Sequence, residues 1–300
     1  MSRGLAWYAR RVLTAADPSE KVRLTQEAAE QWASSRTIGE AAQPPVRPAR
    51  PVRPLIVTSG KMPSVKEVNA PTNIYYLHGL AHVELNAIDL CFDTMIRFAD
   101  DTGSEIEDAH DWYADWISIA SDEARHFSWL DKRLRDLGSC YGDLPAHGII
   151  WNSADVSKGC RKERLALGQL VAEAKGLDAG PRLADRLTGA GDIPSADMVR
   201  VIADEELEHV RIGVKWFIRE CEREKRDPIA EFQEIALRLS NPGAFAPPFN
   251  EERRRQAGLD PEWYLPVAEQ MKKQCRERRE EAKLAGKKST QGVGAASAVS

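Results

Sequence analysis

Apolar residues recur every three or four positions along most of the chain, the spacing that places them on one face of an α-helix. Four long segments show this pattern, at about 72–100, 108–138, 158–176 (resuming at 181–190) and 195–226. Shorter segments with the same pattern lie at about 4–15, 18–33 and 228–239. The stretches between them lack the alternation typical of a β-strand. The pattern therefore predicts an all-α protein built around a four-helix bundle.

Proline, glycine and charged residues divide the chain around these helices. Residues 43–63 are rich in proline and cannot lie inside a helix. The apolar residues between the prolines favour an extended strap along the next domain over a floppy linker. Residues 138–157 are predicted to be a loop. We predict N-terminal helices and the Pro-rich strap in 1–66, the bundle in 67–240, a loop and short helix in 241–271, and a disordered tail in 272–300.

Two of the long helices interrupt an apolar face with the same polar pair, Glu-x-x-His. Glu123 and His126 lie one turn apart on the second helix, as Glu206 and His209 do on the fourth. Apolar residues precede and follow both pairs on the same face, so the pairs point towards the core. The remaining acids beside the second pair are interpreted as a solvent-exposed face: Asp204, Glu205 and Glu208.

The first and third helices each carry a lone carboxylate on an apolar face, Glu84 and Glu173. A buried carboxylate is costly unless it is protonated, paired or bound to metal. One Glu from each of two helices and Glu-x-x-His from each of the other two is the ligand set of ferritin-like di-iron and di-manganese bundles. The predicted metal ligands are Glu84, Glu123, His126, Glu173, Glu206 and His209. The alternative is that these glutamates form ion pairs at the edge of the core, with Arg125 or Arg211.

Carboxylate and imidazole ligands suit iron or manganese better than thiol sites do. We expect two iron ions, with two manganese ions or a mixed iron and manganese pair as alternatives. A metal-bound histidine also needs an outer hydrogen-bond partner. Candidates for this supporting role are His82, Asp89 and Asp122. His82 lies about 160° around the helix from Glu84 and supports the ligands or packs against the bundle, within reach of Asp89. Asp122 is placed to hold a histidine of another helix or to face solvent.

Composition limits the classes of protein. The chain has 42 Lys and Arg against 46 Asp and Glu, so there is no strong signal for nucleic-acid binding. Its five cysteines form no Cys-x-x-Cys pair, which argues against a zinc ribbon and suits a reducing, cytoplasmic setting. No run of about 18 apolar residues predicts a membrane span. The N-terminal stretch carries arginines and no acid before Asp17, so organelle import stays open.

Several long stretches carry a resemblance to a known family: "HGLAHVELNAIDL", "SDEARHFSWLDKRLRDLGSCYGDLPAHG", "EAKGLD", "DEELEHVRIGVKWF" and "PPFNEERRRQAGLDPEWY". Over about residues 3–268 the chain resembles the ferritin-like family of domain-of-unknown-function number 455. The resemblance implies a ferritin-like bundle with flanking elements, N-terminal helices included, and no settled activity. The chain is more distantly similar to the di-iron tRNA hydroxylases, which use the same order of Glu and Glu-x-x-His.

These observations predict a dinuclear iron or manganese oxidoreductase of the oxygenase or oxidase type. It would use dioxygen or peroxide to hydroxylate or desaturate an unknown substrate, a small molecule or a modified nucleoside. The sequence contains no recognisable reductase module, so an external electron donor is expected. The alternatives are a ferroxidase or other iron-handling protein, a peroxide scavenger, and a binding bundle that metal merely stabilises.

Overall fold

The fold is almost entirely helical in the computed structural model, which describes residues 4–40, 43–99 and 106–294 and all of their side chains except 59, 106–108, 279 and 282–294. In chain order the α-helices are α1 (Leu5–Thr14), α2 (Pro18–Ser35), α3 (Thr72–Arg97), α4 (Ile106–Asp136), α5 (Ile149–Val156), α6 (Arg161–Leu165), α7 (Ala174–Gly189), α8 (Ile193–Arg223), α9 (Pro228–Leu239), α10 (Glu251–Gln256) and α11 (Pro261–Gly294). Short 3₁₀-helices span Ser59–Lys61 and Pro242–Phe245. The strands are β1 (Ile56–Val57) and β2 (Ala146–His147), which pair in parallel.

The four predicted long helices form the bundle. The first, second and fourth are α3, α4 and α8, and the third runs without a break from Arg161 to Gly189. Its middle, Ala166–Glu173, is π-helical and joins α6 to α7. The closest packing pairs α3 with α4 and α7 with α8. The prediction of an all-α bundle is therefore confirmed.

Several helices start at the same local signal, an Asp followed by a proline within two residues. The side chain of Asp17 accepts a hydrogen bond from the backbone N–H of Glu20 at 2.8 Å, and Asp227 does the same for Ala230. Asp192 caps α8 through the N–H of Ser195 at 3.2 Å. These caps satisfy N–H groups that have no partner within the helix, and proline suits the first turn because it lacks one.

The Pro-rich strap, residues 43–63, is bound along the bundle as predicted. The N–H of Ala49 donates to the carbonyl of Leu13 at 2.8 Å, and β1 pairs with β2 further along. Arg50 reaches inward to Asn86 at 2.8 Å and to Asp89 at 2.5 Å. Both acceptors are on α3, so the strap ties the N-terminal helices to the bundle.

The structure differs from the sequence-based prediction in the two short strands β1 and β2, which the sequence pattern does not predict, and at three further places. The loop 138–157 contains α5. The third long helix continues through Pro181, whose missing N–H leaves the carbonyl of Leu177 to accept from Asn250 Nδ2 at 3.4 Å. Residues 272–294 continue α11 where composition predicts disorder, because its Lys, Arg and Glu residues favour helix as well as solvent. Residues 295–300 lie outside the described residues.

In the part of the chain that the structure describes, no helix has both the length and the hydropathy that crossing a membrane requires.

Candidate metal centre

The four bundle helices bring the six predicted ligands together at one point. Glu84 and His126 form one group with Glu123 and Glu206, and all the candidate ligand atoms of this group lie within 4.8 Å of one another. A second group, with the same spacing, combines Glu123 and Glu206 with two further side chains, Glu173 and His209. The carboxylates of Glu123 and Glu206 therefore belong to both groups.

Both histidines turn their Nδ1 atoms towards the carboxylates. Nδ1 of His126 lies 3.2 Å from Glu84 Oε2 and 4.0 Å from Glu123 Oε2. Nδ1 of His209 lies 3.1 Å from Glu123 Oε1 and 3.2 Å from Glu206 Oε2. The two groups correspond in composition, since each has its own histidine and its own lone glutamate.

The centre is shielded from solvent. Glu84, Glu123, Glu206 and both histidines are buried, and only Glu173 is half-buried. Glu123 Oε1 receives no well-aligned hydrogen bond although His209 Nδ1 is close by. A buried carboxylate oxygen without a donor is costly, and a metal ion would compensate for that cost.

The Nε2 atoms of the two histidines point outward to a second pair of acids. His126 Nε2 lies 2.6 Å from Glu205 Oε2, and His209 Nε2 lies 3.3 Å from Asp122 Oδ2. Each acid directly precedes the Glu of one Glu-x-x-His pair and contacts the histidine of the other helix. Arg125 joins the two acids at 2.8 Å and 2.7 Å, so one cation fixes both outer partners.

Placement of Glu205 on a solvent-exposed face is thus wrong, because helical periodicity cannot show that α4 lies beside this flank of α8. A sequence signal does exist: an acid stands immediately before both Glu-x-x-His pairs. The prediction for Asp122 agrees with its contact to His209. Ion pairing by Arg125 or Arg211 is not what holds the core glutamates. Arg125 binds the outer acids, and Arg211 pairs with the exposed Glu208.

The other two supporting candidates lie away from the centre, which corrects that prediction. His82 contacts the hydroxyl of Tyr141 at 2.8 Å through Nδ1 and the carbonyl of His147 at 3.1 Å through Nε2. Asp89 pairs with Lys21 at 2.7 Å and with Arg50 rather than with His82. Both side chains occupy the flank of α3 that faces the strap and loop.

Protonation in this cluster reflects crowded negative charge. Burial, followed by the charges of Glu84 and Glu206, raises the pKa of Glu123 well above its ordinary range. Burial and Glu206 likewise raise the pKa of Glu173. Burial alone would lower the pKa of His209, but Glu206 and its other acidic neighbours outweigh it and hold that pKa well above its ordinary value. The cluster on its own therefore retains protons that cations would displace.

The π-helical stretch positions Glu173 at its last residue. Helix α8 packs closely against this stretch. Gly213 lies against Gln169, and a Cβ at Gly213 would come within 2.1 Å of the Gln169 Cβ. A π-helical stretch inside an α-helix is rare and frequently marks a functional site. Sequence periodicity does not reveal it, because Ala166–Val171 is apolar except for Gln169 and is buried on every side, so a shift in helical register leaves no break in the apolar pattern.

Comparison with known proteins gives a family but no activity. A family model described as "Protein of unknown function (DUF455)" matches residues 14–265. An uncharacterised protein of Haemophilus influenzae is 31% identical over 227 residues, which cover 75% of this chain and 78% of the relative. No solved structure matches, so the ferritin-like relation stays a prediction. On the family match and this relative, the chain belongs to the DUF455 family of proteins of unknown function.

Proposed function

We propose that this protein is a dinuclear carboxylate oxidoreductase that uses dioxygen or peroxide to oxidise an organic substrate. One observation carries the proposal: Glu123 and Glu206 are shared between two four-residue groups, each completed by one histidine and one further glutamate. Shared carboxylates of this kind can bridge two metal ions. A cluster held together only by ion pairs does not require the same combination of glutamates and histidine in two adjoining groups.

Charge balance supports two divalent ions. The centre holds four carboxylates, Glu84, Glu123, Glu173 and Glu206, and two imidazoles that are neutral when they bind metal. Four negative charges are offset by two doubly charged cations. The pKa values of Glu123 and Glu173 are raised, so without cations these two groups keep protons that reduce the negative charge of the cluster.

The outer acids prepare both histidines as ligands. With Nε2–H of His126 donating to Glu205, the lone pair at Nδ1 is directed at the cluster. Asp122 fixes His209 in the same way. Such partners set the tautomer and ring orientation of a ligand and increase its basicity.

The donor set favours iron or manganese. All six candidate ligands offer oxygen or imidazole nitrogen, whereas soft thiolate ligands would favour other metals. Cys91 is close enough for Glu123 and Glu173 to act on it, but burial and those acids raise its pKa well above the ordinary value. Cys91 also belongs to neither group of candidate ligands.

The bound metal pair would supply the redox chemistry, and the protein would hold the ligands and exclude bulk water. For hydroxylation with dioxygen, one oxygen atom enters the substrate and the other leaves as water. The reaction also consumes two protons and two electrons, and the electrons are assigned to an external donor.

The test is metal content and absorption after reconstitution with ferrous iron in air. We expect about two iron ions per chain and a near-ultraviolet band of an oxidised iron pair. Glu123→Ala removes a ligand common to both ions, so it should lose the band and most of the iron. Glu208→Ala is the matched control, because Glu208 is exposed and pairs only with Arg211 among the described contacts.

An unchanged band and iron content in Glu123→Ala would contradict the assignment, as would wild-type protein that retains no iron or manganese. Oxygen uptake then separates oxidation of an organic substrate from iron handling. Uptake that ferrous iron alone saturates supports a ferroxidase, and uptake that continues with substrate and reductant supports the proposed activity.

A further inference from the structure

An apolar cavity of about 370 Å³ opens beside α3, between α7, the strap and the turn that leads into β2. Residues from all four elements line it: Met62, Tyr76, Leu80, Pro145, His147 and Leu183. The volume lies within the range of small-molecule sites in proteins.

The cavity and the metal centre share helix α3, the cavity lying on the flank that His82 also occupies. Leu80 lines it and precedes Glu84 by four residues on the same helical face, a rise of about 6 Å. Val83, next to Glu84 in the chain, lines it as well. The cavity therefore begins about one helical turn from Glu84 along the axis of α3.

The lining has little charge to offer a ligand. Among the described residues that form it, none is Asp, Glu, Lys or Arg. The hydroxyl of Tyr75 already donates to the carbonyl of Pro63 at 2.9 Å, and that of Tyr76 is bound by Arg186. The two tyrosines therefore present mainly their rings, which suit apolar and aromatic surfaces.

We propose that this cavity binds the organic substrate, and that the substrate is a neutral, largely apolar small molecule; the inference rests on the proposed function. A nucleotide or an RNA strand would bring phosphates, which proteins bind with arginine, lysine or oriented N–H groups. The described residues of the lining include neither arginine nor lysine. Between the two predicted substrate classes, this lining favours the small molecule.

Gly79 provides a way to fill the cavity without disturbing the fold. It lines the cavity, and a Cβ at this position would meet no atom of another element within 4 Å. Gly79→Leu should therefore occupy the space and, by replacing a glycine inside a helix, should not weaken α3. The control is Gly189→Leu on α7, where the space is equally open and which lies outside the cavity.

The experiment titrates indole, and indole-3-carboxylate as its charged counterpart, into the wild type and both variants by calorimetry. We expect indole to bind the wild type and Gly189→Leu equally, and Gly79→Leu at least tenfold more weakly. The carboxylate should bind the wild type at least tenfold more weakly than indole. Equal binding of indole to Gly79→Leu, no binding to the wild type, or tighter binding of the carboxylate would overturn the inference.

Each titration uses protein loaded with Mn²⁺ and protein treated with a chelator, and metal content is measured alongside. If the protein never retains metal but binds indole, and Gly79→Leu abolishes that binding, the cavity takes a neutral ligand and the proposed function is contradicted. Retained metal with no effect of Gly79→Leu overturns the cavity assignment alone.

Discussion

At the scale of residues, the two histidines are each held between a core carboxylate and an outer acid. Nδ1 of His209 faces Glu123 and Glu206 while Nε2 faces Asp122. The surrounding acids favour a positive charge at each imidazole. Without metal this charge is a proton on the ring, and with metal it is the ion bound at Nδ1. Protons and metal ions therefore compete for the same site.

This competition predicts how stability depends on pH. His209 has a raised pKa, so its contribution to the metal-free fold is complete below its ordinary value of 6.5 and is lost as pH rises through the higher folded value. Glu123 also has a raised pKa, so above its ordinary 4.5 the folded state keeps a proton that the unfolded chain has released. Both effects lower the stability of the metal-free fold as pH increases.

Thermal unfolding with chelator or with Mn²⁺ checks this expectation between about pH 7 and pH 8, above the range in which His78 and His82, whose pKa values burial lowers to about 4, change stability in the opposite direction. The melting temperature of the metal-free protein should fall across this range, and the stabilisation by Mn²⁺ should grow. Glu206 has a lowered pKa and titrates below the range. A metal-free protein that becomes more stable towards pH 8 would show that the cluster does not hold these protons.

The sequence predicts the six converging side chains because each interrupts an apolar stripe, and periodicity alone places them towards the core. It offers Asp122 as an outer partner because a metal-bound histidine needs one, with a solvent-facing Asp122 as the alternative. The predicted surroundings of Glu205 and Asp89 are wrong, because the contacts of these two side chains depend on which helix or strap segment packs beside them. Those contacts join residues 79 and 68 positions apart in the chain, respectively.

At the scale of elements, the third long helix combines two irregular features. Ala166–Glu173 is π-helical and ends at a candidate ligand, and Pro181 is accommodated because Asn250 binds the carbonyl that proline leaves free. The sequence predicts a helix here but divides it near the proline. The rescue of that carbonyl comes from a residue 73 positions away, which local pattern cannot show.

Gly213 controls how closely α8 approaches the π-helical stretch. Gly213→Ala would place a methyl group 2.1 Å from the Gln169 Cβ, where backbone movement is needed to relieve the overlap. We expect a loss of about 1–3 kcal/mol in unfolding free energy. Gln169 lies on the same π-helical stretch as Glu173, and Gly213 lies on α8 with Glu206, so the movement should displace these candidate ligands and Mn²⁺ should bind more weakly.

Urea unfolding and Mn²⁺ titration measure the two effects. Gly189→Ala is the control, since a Cβ there meets open space and should stabilise α7 by up to about 1 kcal/mol. If Gly213→Ala retains wild-type stability and affinity, the close approach of the two helices does not shape the centre.

At the scale of the whole molecule, the N-terminal helices and strap are joined to the bundle through buried charge. Lys21 of α2 and Asp89 of α3 are both fully buried and lie 2.7 Å apart, and Arg50 of the strap meets the same carboxylate. Lys21 also donates to the carbonyl of Val12 at 2.8 Å. One carboxylate thus connects three segments of the fold.

Lys21→Met leaves the buried Asp89 with one cation in place of two. Removal of one partner from a buried pair costs about 3–5 kcal/mol, because the remaining charge stays desolvated. We expect a loss towards the lower end of this range, since Arg50 remains. The double variant Lys21→Met/Asp89→Leu removes the charge as well and should recover part of the loss in urea unfolding. A single variant as stable as the wild type would show that this pair does not hold the N-terminal helices.

Anomalous diffraction from crystals grown with Mn²⁺ would locate the two metal ions that we propose inside the bundle. We expect two peaks, one beside Glu84 and His126 and the other beside Glu173 and His209, with the carboxylates of Glu123 and Glu206 between them. A single peak elsewhere, or no peak among these six side chains at saturating Mn²⁺, would contradict this proposal.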